Sequence, residues 1–163
     1  MNRPSKKTTL SALLIATCLC LCTWVLATGD LPVRADAAKP AGASPHPVDD
    51  SMHHFMEYVF EPSYKRLKAG MAETTKDKKT WKAIKGDSLT LAECANLLLM
   101  RVPDENAREW RMRSVAVRAH GGELYQAARK SDDVAAGKAY AAMLNNCNAC
   151  HKQFAEGKHQ LQP

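Results

Sequence analysis

Past Ser51, apolar positions recur with a helical period almost to the C-terminus. No alternating run of Val, Ile and Thr suggests a sheet. Met56, Phe60, Tyr64, Leu67 and Met71 follow one another at spacings of four, four, three and four, one face of a first helix that Ser51 can cap. Pro62 falls inside this stretch and predicts a kink or a restart, because it removes a backbone donor. A second helix is predicted over about 77–101, with Trp81, Ile84, Leu91, Cys94, Ala95 and Leu98 as its stripe and Gly86 as a point where it can divide. Val102-Pro103-Asp104 ends it, and Asp104 is placed to cap a third helix carrying Trp110, Val117, Gly121, Leu124 and Ala128. Ser131-Asp132-Asp133 turns the chain into a fourth, whose stripe is Tyr140, Met143, Leu144, Cys147, Cys150, His151 and Phe154. Four helices with short connections predict an all-α fold, an antiparallel up-down four-helix bundle.

The segment before this bundle has a different character. Arg3, Lys6 and Lys7 precede an uncharged stretch over 9–27, the layout of a secretory signal. Small-residue sites follow at Val25-Leu26-Ala27 and, better, at Ala35-Asp36-Ala37. Cleavage after Ala37 is expected, so residues 1–37 are a signal peptide and the protein is periplasmic or otherwise exported. An uncleaved segment would instead be a membrane anchor, since the apolar run approaches the roughly 20 residues a spanning helix needs. Residues 38–50, rich in Pro, Ala and Gly, read as a flexible leader, 51–158 as the helical domain and 159–163 as a tail.

Processing changes the charge and the cysteine count. The whole chain of 163 residues carries 23 Lys and Arg against 17 acids. The segment to Ala37 holds four of the former and two of the latter, which leaves a net charge of +4 with scattered basic residues. That is no electrostatic footprint for nucleic acid. Cys18, Cys20 and Cys22 leave with the signal; Cys94, Cys147 and Cys150 stay. Three is odd, so no complete disulfide framework can form even in an exporting compartment.

The close pair belongs to Cys147-Asn148-Ala149-Cys150-His151, a Cys-x-x-Cys-His sequence with the spacing of c-type haem attachment. On a helix, thiols three apart face the same way and can form thioethers to the two vinyl groups of one porphyrin. His151, four residues from Cys147, then reaches the iron as proximal ligand. The competing chemistries fit less well. A thiol redox pair usually accompanies a βαβ pattern. Structural zinc needs four ligands, and His53-His54 are about 100° apart on a helix. A plain disulfide leaves His151 unexplained.

On these residues the chain resembles the class II c-type cytochromes, the cytochrome c′ family and its low-spin relatives. The resemblance spans about 51–158 and rests on four helical stripes and a haem motif close to the C-terminus, followed by Lys152-Gln153-Phe154. It implies one covalent haem c inside the bundle, with the group opposite the proximal histidine drawn from the start of the first helix. It also implies that a homodimer through the first two helices is an option. In the expected bundle, helices one and four are neighbours, which independently sets His151 level with Met52-His53-His54-Phe55-Met56. At about 100° per residue the first-helix stripe centres within roughly 20° of His53, about 40° from Met56, 80° from Met52 and 120° from His54. His53 is therefore the first distal candidate and Met56 the second, with His54 on the solvent side.

Other residues are read more simply. Cys94 is a small buried hydrophobe. Gly121-Gly122 either lets helix three approach the macrocycle or merely weakens the helix, and Arg113, Arg118 and Lys152 are solvated or pair with haem propionates. His46 and His159 receive no role.

Three functions follow, in order. The first is an exported monohaem one-electron carrier with six-coordinate iron, not an enzyme, serving redox partner proteins. The second is a five-coordinate haem module that binds nitric oxide or carbon monoxide. The third is a haem-free thiol or metal-binding helical protein.

Overall fold

The computed structural model describes residues 44–163. The expected signal peptide, its cleavage after Ala37, Cys18, Cys20, Cys22 and the first part of the leader lie outside the described residues. Within them the protein is all-helical: four helices form a bundle and no strand is present.

Helix α1 comprises Met52–Phe55, a π-helical turn Met56–Phe60 and Glu61–Ala72. Ser51 caps it as expected, its hydroxyl accepting from the His54 N–H at 3.2 Å. At Pro62 the α-helix restarts after a π-turn, with the proline in its first turn. Its ring conflicts with the carbonyl four residues back, and the turn just before it opens, so that the Glu61 N–H reaches the Met56 carbonyl five residues away. The wider ring holds one extra residue. Everything on its N-terminal side is rotated by about one residue's worth, roughly 100°, relative to a uniform helix.

Helix α2 spans Lys78–Leu98 without a break at Gly86. Asp77 caps it, accepting from the Thr80 N–H at 2.7 Å, and this bond is the largest influence holding the Asp77 carboxyl below its usual range. Helix α3, Ala107–Arg129, starts later than Asp104 predicts: a left-handed Asn106 (φ 56°) precedes it and no side chain caps it. Helix α4, Asp133–Phe154, is capped by Asp132 on the Ala135 N–H at 3.0 Å.

The stripes fill two clusters. Leu67, Trp81, Ile84, Leu91, Leu124, Tyr140, Met143 and Leu144 form one; Phe55, Ala95, Leu98, Trp110 and Val117 form the other, and Phe60 and Cys147 pack on both. Full burial of such side chains stabilises by about 1.5–3 kcal/mol each. Gly121 lets α2 and α3 approach closely: a Cβ there would lie 3.1 Å from the Ala92 Cβ and 3.2 Å from its Cα and N. The tight approach is to α2, so this glycine serves helix packing.

Polar ties fix the ends. Arg66 donates to the buried Asp87 carboxylate at 2.6 and 3.0 Å, joining α1 to α2. Lys76 pairs with Asp133 at 2.8 Å. The Trp110 indole N–H donates to the Leu98 carbonyl at 2.8 Å and its ring meets Phe154 edge-on at 5.0 Å, tying the start of α3 to the ends of α2 and α4. No helix among the described residues is long and apolar enough to cross a membrane.

Candidate functional site

Helices α1 and α4 face each other across a cavity of about 670 Å³, inside the roughly 300–1,000 Å³ range of ligand and cofactor sites. Its walls are mainly apolar: Met52, Met56, Phe60 and Tyr64 from α1, Leu91 and Leu98 from α2, Trp110 and Val117 from α3, Met143, Leu144 and Phe154 from α4. The groups with ligand chemistry are Cys147, Cys150 and His151, which line this same cavity, with His53, Glu57, His159 and Leu161 also on its boundary. Near it, the buried Tyr140 hydroxyl has no hydrogen-bond partner.

The two thiols are unpaired. Burial, and secondarily the neighbouring Cys150, pushes the Cys147 thiol up to about 12. Burial also raises Cys150, against a smaller opposing effect of the Arg113 guanidinium. A nucleophilic Cys-x-x-Cys pair needs the opposite, a thiolate stabilised near neutral pH. Cys94 is likewise raised by burial, but it is only half-buried and packs in neither core cluster, so it is less enclosed than the stripe of α2 predicts.

The His151 ring is held by the C-terminal segment. Its Nδ1 lies 2.8 Å from the His159 carbonyl, which can only accept, so Nδ1 carries the proton and Nε2 is left as the free lone pair. Metal-bound histidines are held in this way, with the ring N–H opposite the metal tied to a carbonyl or carboxylate. Two thiols three residues apart, an imidazole with a free nitrogen and an apolar cavity beside all three make a donor set that fits covalent haem. Among the described residues no three His, Cys, Asp or Glu side chains cluster to hold a bare metal ion.

The start of α1 carries the distal candidates. His53 is on the cavity boundary, but its side chain is 74% exposed and its Nε2 lies 3.3 Å from Glu57. Met56 is half-buried on the wall. His54 is exposed, paired with Asp49 at 2.8 Å and stacked on Tyr58, in line with its expected solvent position. The π-turn accounts for these placements. A rotation of roughly 100° carries His53 away from the stripe centre and brings Met52 onto it. Met52 is half-buried, packs on the second cluster and lines the cavity. The sequence pattern put Met52 about 80° off, because nothing in it marks a π-turn except the position of Pro62.

Two further groups escape a reading of the motif alone. Asn148, inside the Cys-x-x-Cys-His run, bonds to Leu161 of the C-terminal segment, and the carbonyl of His159, in the expected tail, accepts from the His151 ring. No protein-family model matches the sequence, and a comparison with curated proteins finds no relative.

Proposed function

We propose that this protein is an exported c-type cytochrome of the class II kind, an antiparallel up-down bundle that carries one haem c between α1 and α4. The observation that carries this is the convergence of Cys147, Cys150 and His151 on one apolar cavity, with the His151 Nδ1 tied to the His159 carbonyl and Nε2 left without a partner. The alternation expected of an up-down bundle is supported by the second cluster, where Phe55 from the start of α1 meets Leu98 from the end of α2 and Trp110 from the start of α3. Attached haem supplies a one-electron ferric–ferrous couple. Cys147 and Cys150 would hold it by thioethers, His151 would offer Nε2 to the iron, and the apolar walls would exclude water. Met52, Met56 and His53 are the groups on the α1 wall that would supply a sixth ligand. No substrate chemistry is asked of the chain: it is a carrier for redox partner proteins and not an enzyme.

A second reading has its own observation. His53 is turned to Glu57, so if neither methionine sulfur binds iron, the distal side stays open and the protein captures nitric oxide or carbon monoxide. One experiment separates them: absorption spectra of the haem-matured protein, oxidised and reduced, with and without carbon monoxide. A low-spin spectrum unmoved by the gas is expected. A high-spin spectrum that shifts on adding the gas makes the gas-binding reading correct, and absence of covalent haem from the denatured protein refutes both.

A further inference from the structure

The last residues are not a free tail. After Phe154 the chain reverses through Glu156, Gly157 and His159, at φ 54°, 75° and 58°. Glu156 and His159 hold a left-handed backbone that L side chains rarely adopt, which persists only where surrounding contacts over-determine it. Those contacts are on the page. The His151 carbonyl accepts from the Ala155 N–H at 2.9 Å and the Gly157 N–H at 3.0 Å, while the His151 ring donates to the His159 carbonyl. Asn148 then pairs with Leu161 in both directions: its Nδ2 donates to the Leu161 carbonyl at 3.0 Å and its Oδ1 accepts the Leu161 N–H at 2.7 Å. The Tyr64 hydroxyl donates to the Gln162 carbonyl at 2.7 Å and accepts from the Gln162 N–H at 3.1 Å. The Leu161 side chain packs on the first core cluster and lines the cavity. The segment is a strap, anchored on α4 at Asn148 and His151 and on α1 at Tyr64.

Apart from the His151 ring itself, no group holds the His159 carbonyl directly. Its position is set by the chain on either side, at Gly157 by the His151 carbonyl, at Leu161 by Asn148 and at Gln162 by Tyr64. Asn148 occupies one of the two positions of Cys-x-x-Cys-His that attachment chemistry leaves free, and both ends of its amide are committed to the strap. We infer that Asn148 is a positioning residue for His151: through Leu161 it holds the His159 carbonyl on Nδ1, which fixes the ring's tautomer and tilt and raises the basicity of Nε2. This rests on His151 being the proximal ligand of haem. A more basic proximal nitrogen favours the ferric state, so the strap lowers the reduction potential.

The test uses the haem-loaded full chain and two variants that break the pair from opposite sides, Asn148→Ala and Leu161→Pro. In Asn148→Ala the Leu161 amide exchanges at least tenfold faster. In both variants the iron–imidazole stretching frequency falls and the reduced-to-oxidised ratio at fixed potential rises threefold to tenfold, tenfold being about 59 mV for one electron. Covalent haem content stays at the parental level. Parental frequency and potential in both variants, once the Leu161 amide of Asn148→Ala has lost its protection, overturn the inference alone. A parent chain without covalent haem overturns the reading of the site and this inference with it.

Discussion

Replacing Gly121 by alanine sets two effects against each other. Alanine is favoured over glycine in a helix interior by about 0.8–1.0 kcal/mol. Against that, the new methyl would sit 3.1–3.2 Å from the Cβ, Cα and N of Ala92, and two of those atoms are backbone that no rotamer change can move. Overpacking of this kind typically costs about 1–3 kcal/mol. The net expectation is a destabilisation of roughly 0–2 kcal/mol. Gly122 provides the control, since a Cβ there meets nothing within 4 Å and only the propensity gain remains. Comparing the variants cancels the propensity term. Gly121→Ala should be less stable than Gly122→Ala by about 1–3 kcal/mol, a gap of roughly 4 °C or more in Tm. Urea unfolding of both variants, with m unchanged, measures this directly. If Gly121→Ala gains as much stability as Gly122→Ala, the close approach of α2 and α3 at Ala92 is wrong.

Three other expectations follow from the geometry. Deleting Tyr58, an exposed residue of the π-turn, should restore a uniform helix and rotate its start by roughly 100°. Histidine would then replace methionine at the iron, seen as loss of the methionine–ferric charge-transfer band and a lower potential; an unchanged spectrum would exclude the rotation. In the haem-free chain, the Cys147 thiol is raised from 9.0 to about 12, so the fold favours its neutral form. That stabilisation is complete below about pH 9 and is lost as pH rises toward about 12, at a slope approaching 1.4 kcal/mol per pH unit. Denaturation measured across this range should lose that slope in Cys147→Ala and in the haem-loaded protein, where the thiol is consumed; a slope surviving in either would contradict it. Trp110→Phe keeps an aromatic ring but removes one of the two donors to the Leu98 carbonyl, which still accepts the Arg101 N–H, and should cost about 0.5–1.5 kcal/mol by thermal melts, whereas a neutral change would deny the bond its role.

Residue order alone was enough for the four helical stripes, because a 3.6-residue period repeats within each segment and does not depend on what the segment packs against. Leu67, Ile84, Leu98, Val117, Leu124 and Met143, all expected on apolar faces, are all buried. That Cys147, Cys150 and His151 would line one site was legible for the same reason: they need only one helix to face one way. The cap at Ser51 was local too. What failed was phase and closure. Gly86 does not break α2, since the stripe on either side of it is buried continuously enough to outweigh a cost of about 1 kcal/mol. The π-turn before Pro62 shifts the start of α1 by one residue, a choice between two helical rings that differ little locally and are decided by what the flanking faces must bury. The strap is the clearest case. Asn148, Tyr64 and the backbone of residues 159–162 lie up to 98 residues apart, so only the folded bundle brings them together and turns an unremarked tail into the partner of His151.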